Sequence, residues 1–355
     1  MLRELVLTNR IRETVYVLGA GFSKGCGYPL TRDLLPQVWE RLKAKDQKSL
    51  LKIIQFHHPN FILNDAKSFP LIEQLLTEMK VNADLYDGSR RYAGNFKEEQ
   101  LQETRSALLT TIAQWFHELY QSARKTPWLK DFVNIVNEQN AAVITFNWDL
   151  LLDHELLGEE IQSQHYGLLD ELPKVGPLIL KPHGSLNWYS TEELNRARPE
   201  KRRVLFEWKT PSDAIELFIP PRAIKSRTSR NYSPLLVPPT YIKDFDKPIF
   251  RHLWKQTTEV LSTARKIVFI GYSLPADDLQ AKFILRCGFH NQREGLIGPR
   301  GRTPATGDAT VQVINPDKDV ASRIQTIANR GVVVSTVASY AEEWVAKFKA
   351  ESNFL

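Results

Sequence analysis

The sequence predicts an α/β protein built around a doubly wound parallel sheet. Short apolar runs rich in β-branched residues alternate with helical patterns along most of the 355 residues. The first run passes directly into a glycine-rich turn and then a helix. Five of the runs end on glycine or polar residues suited to ligand contact, which is where parallel sheets of this kind bind ligands.

The first strand, turn and helix lie within residues 14–29, TVYVLGAGFSKGCGYP. Gly19 and Gly21 lack a Cβ, so the backbone there can turn tightly and approach a ligand. A phosphate in the turn would face backbone N–H groups and the positive end of the next helix. The dehydrogenase fingerprint GxGxxG is absent, because Lys24 stands at its last position. Taken alone, this stretch leaves a nucleotide site and an unliganded turn both open.

The remaining strands follow in order. Strand character returns at residues 141–146 (AAVITF), 178–180, 266–270 (KIVFI) and 310–314 (TVQVI), and a last apolar run occupies residues 332–334. Because helical patterns separate them, a Rossmann-like sheet is expected.

Two segments interrupt this alternation. Residues 45–135 carry successive helical patterns, the longest at 98–124, and predict a helical insertion. Residues 190–262 hold two β-like runs, 204–208 and 215–219, and predict a mixed excursion. The expected main domain therefore comprises residues 1–44 and 136–355, with a loop at 295–308.

Composition restricts the class of protein. The 42% hydrophobic content is that of a globular chain, and no run approaches the roughly 18 apolar residues of a membrane helix. The N-terminus lacks the features of a secretory signal, so a cytoplasmic protein with no membrane contact is expected. Cys26 and Cys287 belong to no CxxC pair and no HExxH spacing occurs, so neither a disulfide framework nor a metal site is expected.

Basic residues concentrate in two stretches, 196–203 (RARPEKRR) and 222–230 (RAIKSRTSR), within a net charge of +6. Such clusters contact nucleic acid, an acidic partner or a phosphorylated ligand, or they are solvated loops. The charge alone does not define a function.

Five motifs follow the strands: GAGFS, TFNWD, HGS, GYS and INP. In this order they resemble the motifs of the sirtuin (silent information regulator) superfamily, specifically its prokaryotic zinc-free branch. GAGFSKGCGYP is similar to the family's GAGxSxxxGIP turn, PHGSLNW to its histidine-glycine motif, and IVFIGYSLPADD to the branch's GYSLPxxD segment. The resemblance implies a sirtuin-type sheet in which residues 190–262 replace the zinc ribbon. Leu30 departs from the family's acidic residue after GIP.

The resemblance also implies roles for individual residues. It places Asn147 and Asp149 at the nicotinamide end of a bound NAD and matches His183 to the catalytic histidine. The implied contacts to the remainder of NAD are Gly19, Ala20, Gly21, Phe22, Ser23, Thr145, Gly271, Ser273 and Asn315.

The chemistry of three of these residues fits cleavage of the nicotinamide–ribose bond, which develops positive charge on the sugar. The neutral amide of Asn147 could hold ribose hydroxyls and orient a water. His183, with an ordinary pKa of about 6.5, is suited to accept a proton, and Asp149 to support the cation. The alternatives are that Asn147 or Asp149 only caps the next helix, and that His183 is a satisfied buried histidine.

We therefore expect an NAD+ hydrolase that uses NAD as substrate, needs no metal, and releases nicotinamide and ADP-ribose. The resemblance further implies an antiviral effector that depletes NAD when a partner protein or infection signal activates it, and a homo-oligomeric assembly. The alternatives are an NAD-dependent protein deacylase, an NAD or ADP-ribose sensor without turnover, and a nucleic-acid-associated component.

Overall fold

Six parallel strands form the central sheet. The computed structural model describes residues 12–84, 96–123, 126–158, 162–169, 171–190, 204–206, 217–218, 236, 248–276, 278–298 and 301–352. The strands in chain order are β1 (Thr14–Leu18), β2 (Ala142–Thr145), β3 (Ile179–Leu180), β4 (Tyr189–Ser190), β5 (Val204–Phe206), β6 (Leu217–Phe218), β7 (Lys266–Ile270), β8 (Leu296–Gly298), β9 (Gly301–Thr303), β10 (Thr310–Ile314) and β11 (Val334–Val337).

The order of strands across the central sheet is β3-β2-β1-β7-β10-β11, and every neighbouring pair is parallel. The chain thus builds outwards in one direction from β1, then returns and builds outwards in the other from β7. This is the doubly wound, Rossmann-like arrangement, and it confirms the predicted fold class. The point where the winding reverses lies between β1 and β7, whose carboxyl ends should flank a ligand crevice.

Eleven helices are described around this sheet. They are α1 (Ala20–Lys24), α2 (Thr31–Trp39), α3 (Ala44–His57), α4 (Ile72–Asp84), α5 (Glu98–Ala123), α6 (Pro127–Glu138), α7 (Leu151–Leu157), α8 (Pro248–Thr263), α9 (Leu279–Glu294), α10 (Asp319–Gln325) and α11 (Ala341–Ser352). On one face Tyr16 of β1 packs edge-on against Phe132 of α6 and Trp344 of α11, with ring centroids 5.2 and 6.3 Å apart. The right-handed rule for crossovers between parallel strands predicts that α8, α9 and α10 lie on the other face.

Apolar sequence explains the position of the central strands. All residues of β1 from Val15 onwards and of β7 from Ile267 onwards are fully buried, as expected for strands covered by helices on both faces. Helices α3 to α5 occupy the segment predicted to be a helical insertion, and the domain boundaries around them stay a prediction.

Some segments differ from the sequence-based expectation or lie outside the described residues. The sequence predicts a loop over residues 295–308, but strands β8 and β9 pair antiparallel within this range. Short strands β4, β6 and β5 pair within the predicted mixed excursion. The two basic stretches, 196–203 and 222–230, lie outside the described residues.

None of the helices in the described ranges has both the length and the hydropathy required to cross a membrane.

Candidate functional site

The turns that follow β1 and β7 pack backbone against backbone at the reversal point of the sheet. The N–H of Gly21 donates to the carbonyl of Gly271 at 2.9 Å. A Cβ on Gly19 would lie 2.6 Å from Cα of Tyr272, and one on Gly271 would lie 2.2 Å from the main-chain nitrogen of Phe22. These glycines are therefore required by the contact between the two turns, whether or not a ligand also approaches them.

A cavity of about 610 Å³ opens at this edge of the sheet, a size typical of cofactor sites. The structure brings ten of the twelve sequence-predicted site residues to its wall: Gly19, Ala20, Gly21, Ser23, Asn147, Asp149, His183, Gly271, Ser273 and Asn315. Residues of α2, α4 and α5 complete the wall on one side, including Arg32, Ile72 and Phe116.

Two predicted site residues do not line the cavity. The ring of Phe22 is 1% exposed and packs against Trp128 and Phe132 of α6, with centroids 5.2 and 4.9 Å away. Thr145 is buried at the end of β2, where its Oγ1 accepts a hydrogen bond from the N–H of Asn147 at 3.2 Å. Phe22 is thus a core residue, and Thr145 shapes the turn that carries Asn147.

The side chain of Asn147 reaches across to the first turn. Its Nδ2 donates to the carbonyl oxygen of Gly19 at 2.9 Å and to Oγ of Ser23 at 3.0 Å. A carbonyl oxygen only accepts hydrogen bonds, so the atom facing Gly19 must be the amide nitrogen, and the orientation of the amide is fixed. No described residue donates to Oδ1 of Asn147, which remains an acceptor beside the cavity. Helix capping, the alternative for this residue, does not account for its contacts.

Asp149 supports both Ser23 and the start of α7. Its Oδ2 accepts from Ser23 Oγ at 2.7 Å, and its Oδ1 accepts from the N–H of Leu151 at 3.1 Å. A directed chain of hydrogen bonds therefore runs from the amide of Asn147 through the hydroxyl of Ser23 to this carboxylate. Burial raises the pKa of Asp149, whereas the charge of Lys181 and the Ser23 hydrogen bond act in the opposite direction. Asp149 thus bonds the first N–H of α7 from just before the N-cap residue, Leu150, and it also lines the cavity.

Burial of Asp149 should make the free energy of unfolding depend on pH. The folded state keeps the proton where an unfolded aspartate, with a pKa of about 3.9, has released it. The contribution of Asp149 is therefore fully present below about pH 4 and is lost as pH rises through the raised pKa. We expect Asp149→Asn to remove this component, so that the variant gains stability relative to the wild type as pH rises. Urea unfolding from about pH 4 to pH 8 measures the difference, and parallel pH profiles would contradict the expectation.

His183 lies on the opposite turn, after β3, against an acidic partner. Its Nε2 is 3.4 Å from Oδ2 of Asp278, whose Oδ1 caps α9 by accepting from the N–H of Ala281. Both side chains are about nine-tenths buried, and both residues line the cavity. The ring of His183 also meets Phe146 edge-on, with centroids 4.9 Å apart. A carboxylate beside Nε2 orients the imidazole.

The far end of the cavity is closed by the turns after β7 and β10. Arg323 connects them, because its Nε donates to the carbonyl of Ser273 at 2.9 Å and its Nη2 lies 2.8 Å from Oδ2 of Asp317. The side chain of Asn315 accepts from the N–H of Asp317 at 3.0 Å, which fixes the INP turn. Ser273 and Asn315 both line the cavity at this end.

The sequence analysis did not single out two polar residues at or behind the candidate site, Asp278 and Lys181. Asp278 is the final residue of GYSLPADD, and its position in the GYSLPxxD pattern was a signal that could have identified it. Lys181 precedes the PHGS motif and is completely buried, which a single lysine in a sequence does not indicate.

Within the described part of the chain, no group of three His, Cys, Asp or Glu side chains could hold a metal ion. Cys26 and Cys287 are free thiols.

A nucleotide-sized cavity at the reversal point of a doubly wound sheet defines the protein as one with a candidate small-molecule site.

No protein-family model matches the sequence, and no curated protein matches it. Among solved structures, a Sir2 homologue in complex with NAD is 14% identical, with a TM-score of 0.45 and coverage of 99% of this chain and 93% of that chain. A structure concerning the mechanism and regulation of Sir2 enzymes is 12% identical, with a TM-score of 0.44 and coverage of 99% and 96%. A variant Sir2 homologue in complex with ADP-ribose is 13% identical, with a TM-score of 0.42 and coverage of 99% and 98%.

Proposed function

We propose that the protein binds NAD+ in this cavity and hydrolyses its nicotinamide–ribose bond. The observation that carries the proposal is the fixed amide of Asn147, which holds an acceptor oxygen beside the same cavity that His183 lines. The motif order that resembles the sirtuin superfamily supports NAD as the ligand. The glycine turns would then face the pyrophosphate, and Ser273 and Asn315 the adenosine.

In the proposed reaction, the bond between C1′ of the ribose and the nicotinamide nitrogen breaks, and its electron pair leaves with nicotinamide. The sugar gains oxocarbenium character, as in glycoside hydrolysis. Oδ1 of Asn147 accepts a hydrogen bond from a ribose hydroxyl or from the attacking water. The water oxygen bonds to C1′, and His183 takes the proton that the water loses. Asp278 stabilises the resulting imidazolium at Nε2.

Release of nicotinamide tests the proposal. The purified full chain is incubated with NAD+ at enzyme concentrations high enough to detect slow turnover, with and without extract from phage-infected cells. Equal amounts of nicotinamide and ADP-ribose support hydrolysis. NAD binding without any release favours a sensor, and loss of the acyl group from an added acyl-lysine peptide favours a deacylase.

Replacing His183 by alanine is expected to lower the rate of nicotinamide release by about 10²-fold to 10⁴-fold, the usual contribution of a general base. The control is His290→Ala, because His290 is an exposed histidine of α9. Rates are compared at saturating NAD+ after both variants are shown to melt like the wild type. A His183→Ala variant that keeps the wild-type rate would remove the proton-acceptor role.

On the resemblance of the motifs, we also propose that the enzyme depletes cellular NAD as an antiviral effector in the cytoplasm, with low resting activity. A homo-oligomer and an activating protein or infection signal are part of this proposal. Residues 45–135 and the basic stretches are candidate surfaces for those contacts. Depletion of NAD in infected cells that carry the wild type, but not the His183→Ala variant, is the expected result.

A further inference from the structure

A buried polar network lies directly behind the candidate site. Lys181 is 0% exposed and Asp153 is 1% exposed. The ammonium of Lys181 donates to both carboxylate oxygens of Asp153, at 3.0 and 3.2 Å, and to the main-chain oxygen of Asp149 at 2.6 Å. These three bonds use all the donors that a lysine has.

The network extends from this ion pair to the histidine turn. Asp153 also accepts a short hydrogen bond from the hydroxyl of Tyr166, and that hydroxyl accepts from Nδ2 of Asn187 at 3.4 Å. A separate main-chain bond, from the N–H of Leu186 to the carbonyl of Trp148 at 3.1 Å, joins the same two turns. The two turns are therefore connected by side chains and by backbone.

The sequence positions of these residues show which two turns the network connects. Asp149 lies two residues after Asn147, and Lys181 lies two residues before His183. The hydrogen bond from Lys181 to the Asp149 carbonyl therefore joins the turn that carries Asn147 to the strand end that leads to His183.

Stability alone does not explain this arrangement. Removing two charges from water costs free energy that their attraction often fails to recover, and apolar residues of similar volume usually stabilise a core as well. An apolar side chain, however, could not bond the carbonyl of Asp149, which would then be left without this partner. The ammonium therefore supplies a geometric link that apolar packing cannot.

We propose that Lys181 is a positioning residue, which holds the TFNWD turn against the HGS turn so that Asn147 and His183 keep their relative placement. This inference rests on the proposed function for its kinetic test. The glycine turns and the INP turn make none of these contacts, so loss of the link should lower kcat and leave the KM for NAD+ nearly unchanged.

The test is the double variant Lys181→Met and Asp153→Asn. It removes both charges together, and the asparagine keeps an acceptor for the hydroxyl of Tyr166. We expect kcat for nicotinamide release to fall by about 10-fold to 100-fold, the effect of a displacement of about 1 Å, with KM changed by less than about threefold. The melting temperature should fall only slightly, because removing two buried charges offsets the cost of leaving the Asp149 carbonyl without this partner. The control, Lys349→Met, removes the ion pair between Lys349 and Asp131, two residues that do not line the cavity, and should keep the wild-type kcat.

Hydrogen exchange gives a readout that does not depend on activity. In the double variant, amides in residues 146–151 and 182–188 should exchange about tenfold faster or more, while β1 stays protected. If the wild type releases no nicotinamide, the proposed function fails, and the exchange rates alone decide the positioning role. Unchanged exchange in both segments, or wild-type kcat in a variant with wild-type melting, overturns the proposal.

A second variant decides the matter if the double variant does not melt cooperatively. Tyr166→Phe removes only the hydroxyl between Asp153 and Asn187 and keeps the edge-on contact of the ring with Trp188 at 5.2 Å. A fall in kcat of about threefold or more, with unchanged KM, supports the proposal. Because Tyr166→Phe leaves the three bonds of Lys181 in place, it is also combined with Lys181→Met and Asp153→Leu, and a wild-type kcat in this triple variant overturns the proposal.

Discussion

Replacing Gly271 by alanine is expected to remove most of the stability of the folded protein. The added methyl group would lie 2.2 Å from the main-chain nitrogen of Phe22 and 2.3 Å from the carbonyl carbon of Gly21. Both atoms belong to the backbone of α1, which begins directly after β1, so relief requires that the start of this helix move away from β7. We expect a loss of about 4 kcal/mol or more in the free energy of unfolding, the range of severe core disruptions. Urea unfolding, or the yield of soluble protein if folding fails, measures the loss.

A control substitution at a second glycine separates the effect of the steric clash from the cost of the left-handed backbone conformation. Gly271 has φ of +61°, and Gly307 has φ of +81° with nothing within 4 Å of a Cβ built on it. Gly307→Ala should therefore cost only the left-handed backbone conformation, about 1–2 kcal/mol. Equal losses in the two variants would show that the contact between the turns contributes nothing.

The same contact shows what the sequence could predict about the fold. The apolar runs and the helical patterns between them predict the strands, because a buried parallel strand needs apolar side chains on both faces, such as those of Val17 and Leu18. These patterns do not predict which strand lies beside β1. That β7 is its neighbour depends on the close packing of Gly19, Gly21 and Gly271, and a pair of glycine turns 250 residues apart carries no local signal of its partner.

The candidate site was predictable to the extent that parallel strands end at one edge. Asn147, His183 and Asn315 follow different strands, so the topology alone brings them to one cavity. Contacts among side chains were not predictable. A strand-end asparagine suits helix capping as well as a bond to Gly19, and only the pairing of β1 with β2, which brings their ends together, decides between them. The position of Phe22 in the GAGFS motif does not indicate that its ring is buried against α6.

Asn147→Ala is expected to lower the rate of nicotinamide release by about 10³-fold. Removing one preorganised polar group from a site that stabilises developing charge costs about 10²-fold to 10³-fold. The upper value is expected because the variant loses both the acceptor Oδ1 and the fixed hydrogen bonds to Gly19 and Ser23. Binding of NAD+ should change little, since the glycine turns are held by main-chain bonds. Single-turnover release at saturating NAD+, beside a direct binding titration, distinguishes the two effects.

The Ser23→Ala variant tests whether the rate of nicotinamide release depends on the orientation of the Asn147 amide or only on its presence. This variant removes one acceptor of the Asn147 amide and the donor to Asp149, but the carbonyl of Gly19 still faces Nδ2. Partial loss of orientation predicts a rate between those of the wild type and Asn147→Ala, lowered by about tenfold. A rate as low as that of Asn147→Ala would mean that the chain from Asn147 through Ser23 to Asp149 acts as one unit. A wild-type rate in Asn147→Ala itself would contradict the mechanism, because no other described amide occupies that place between the two turns.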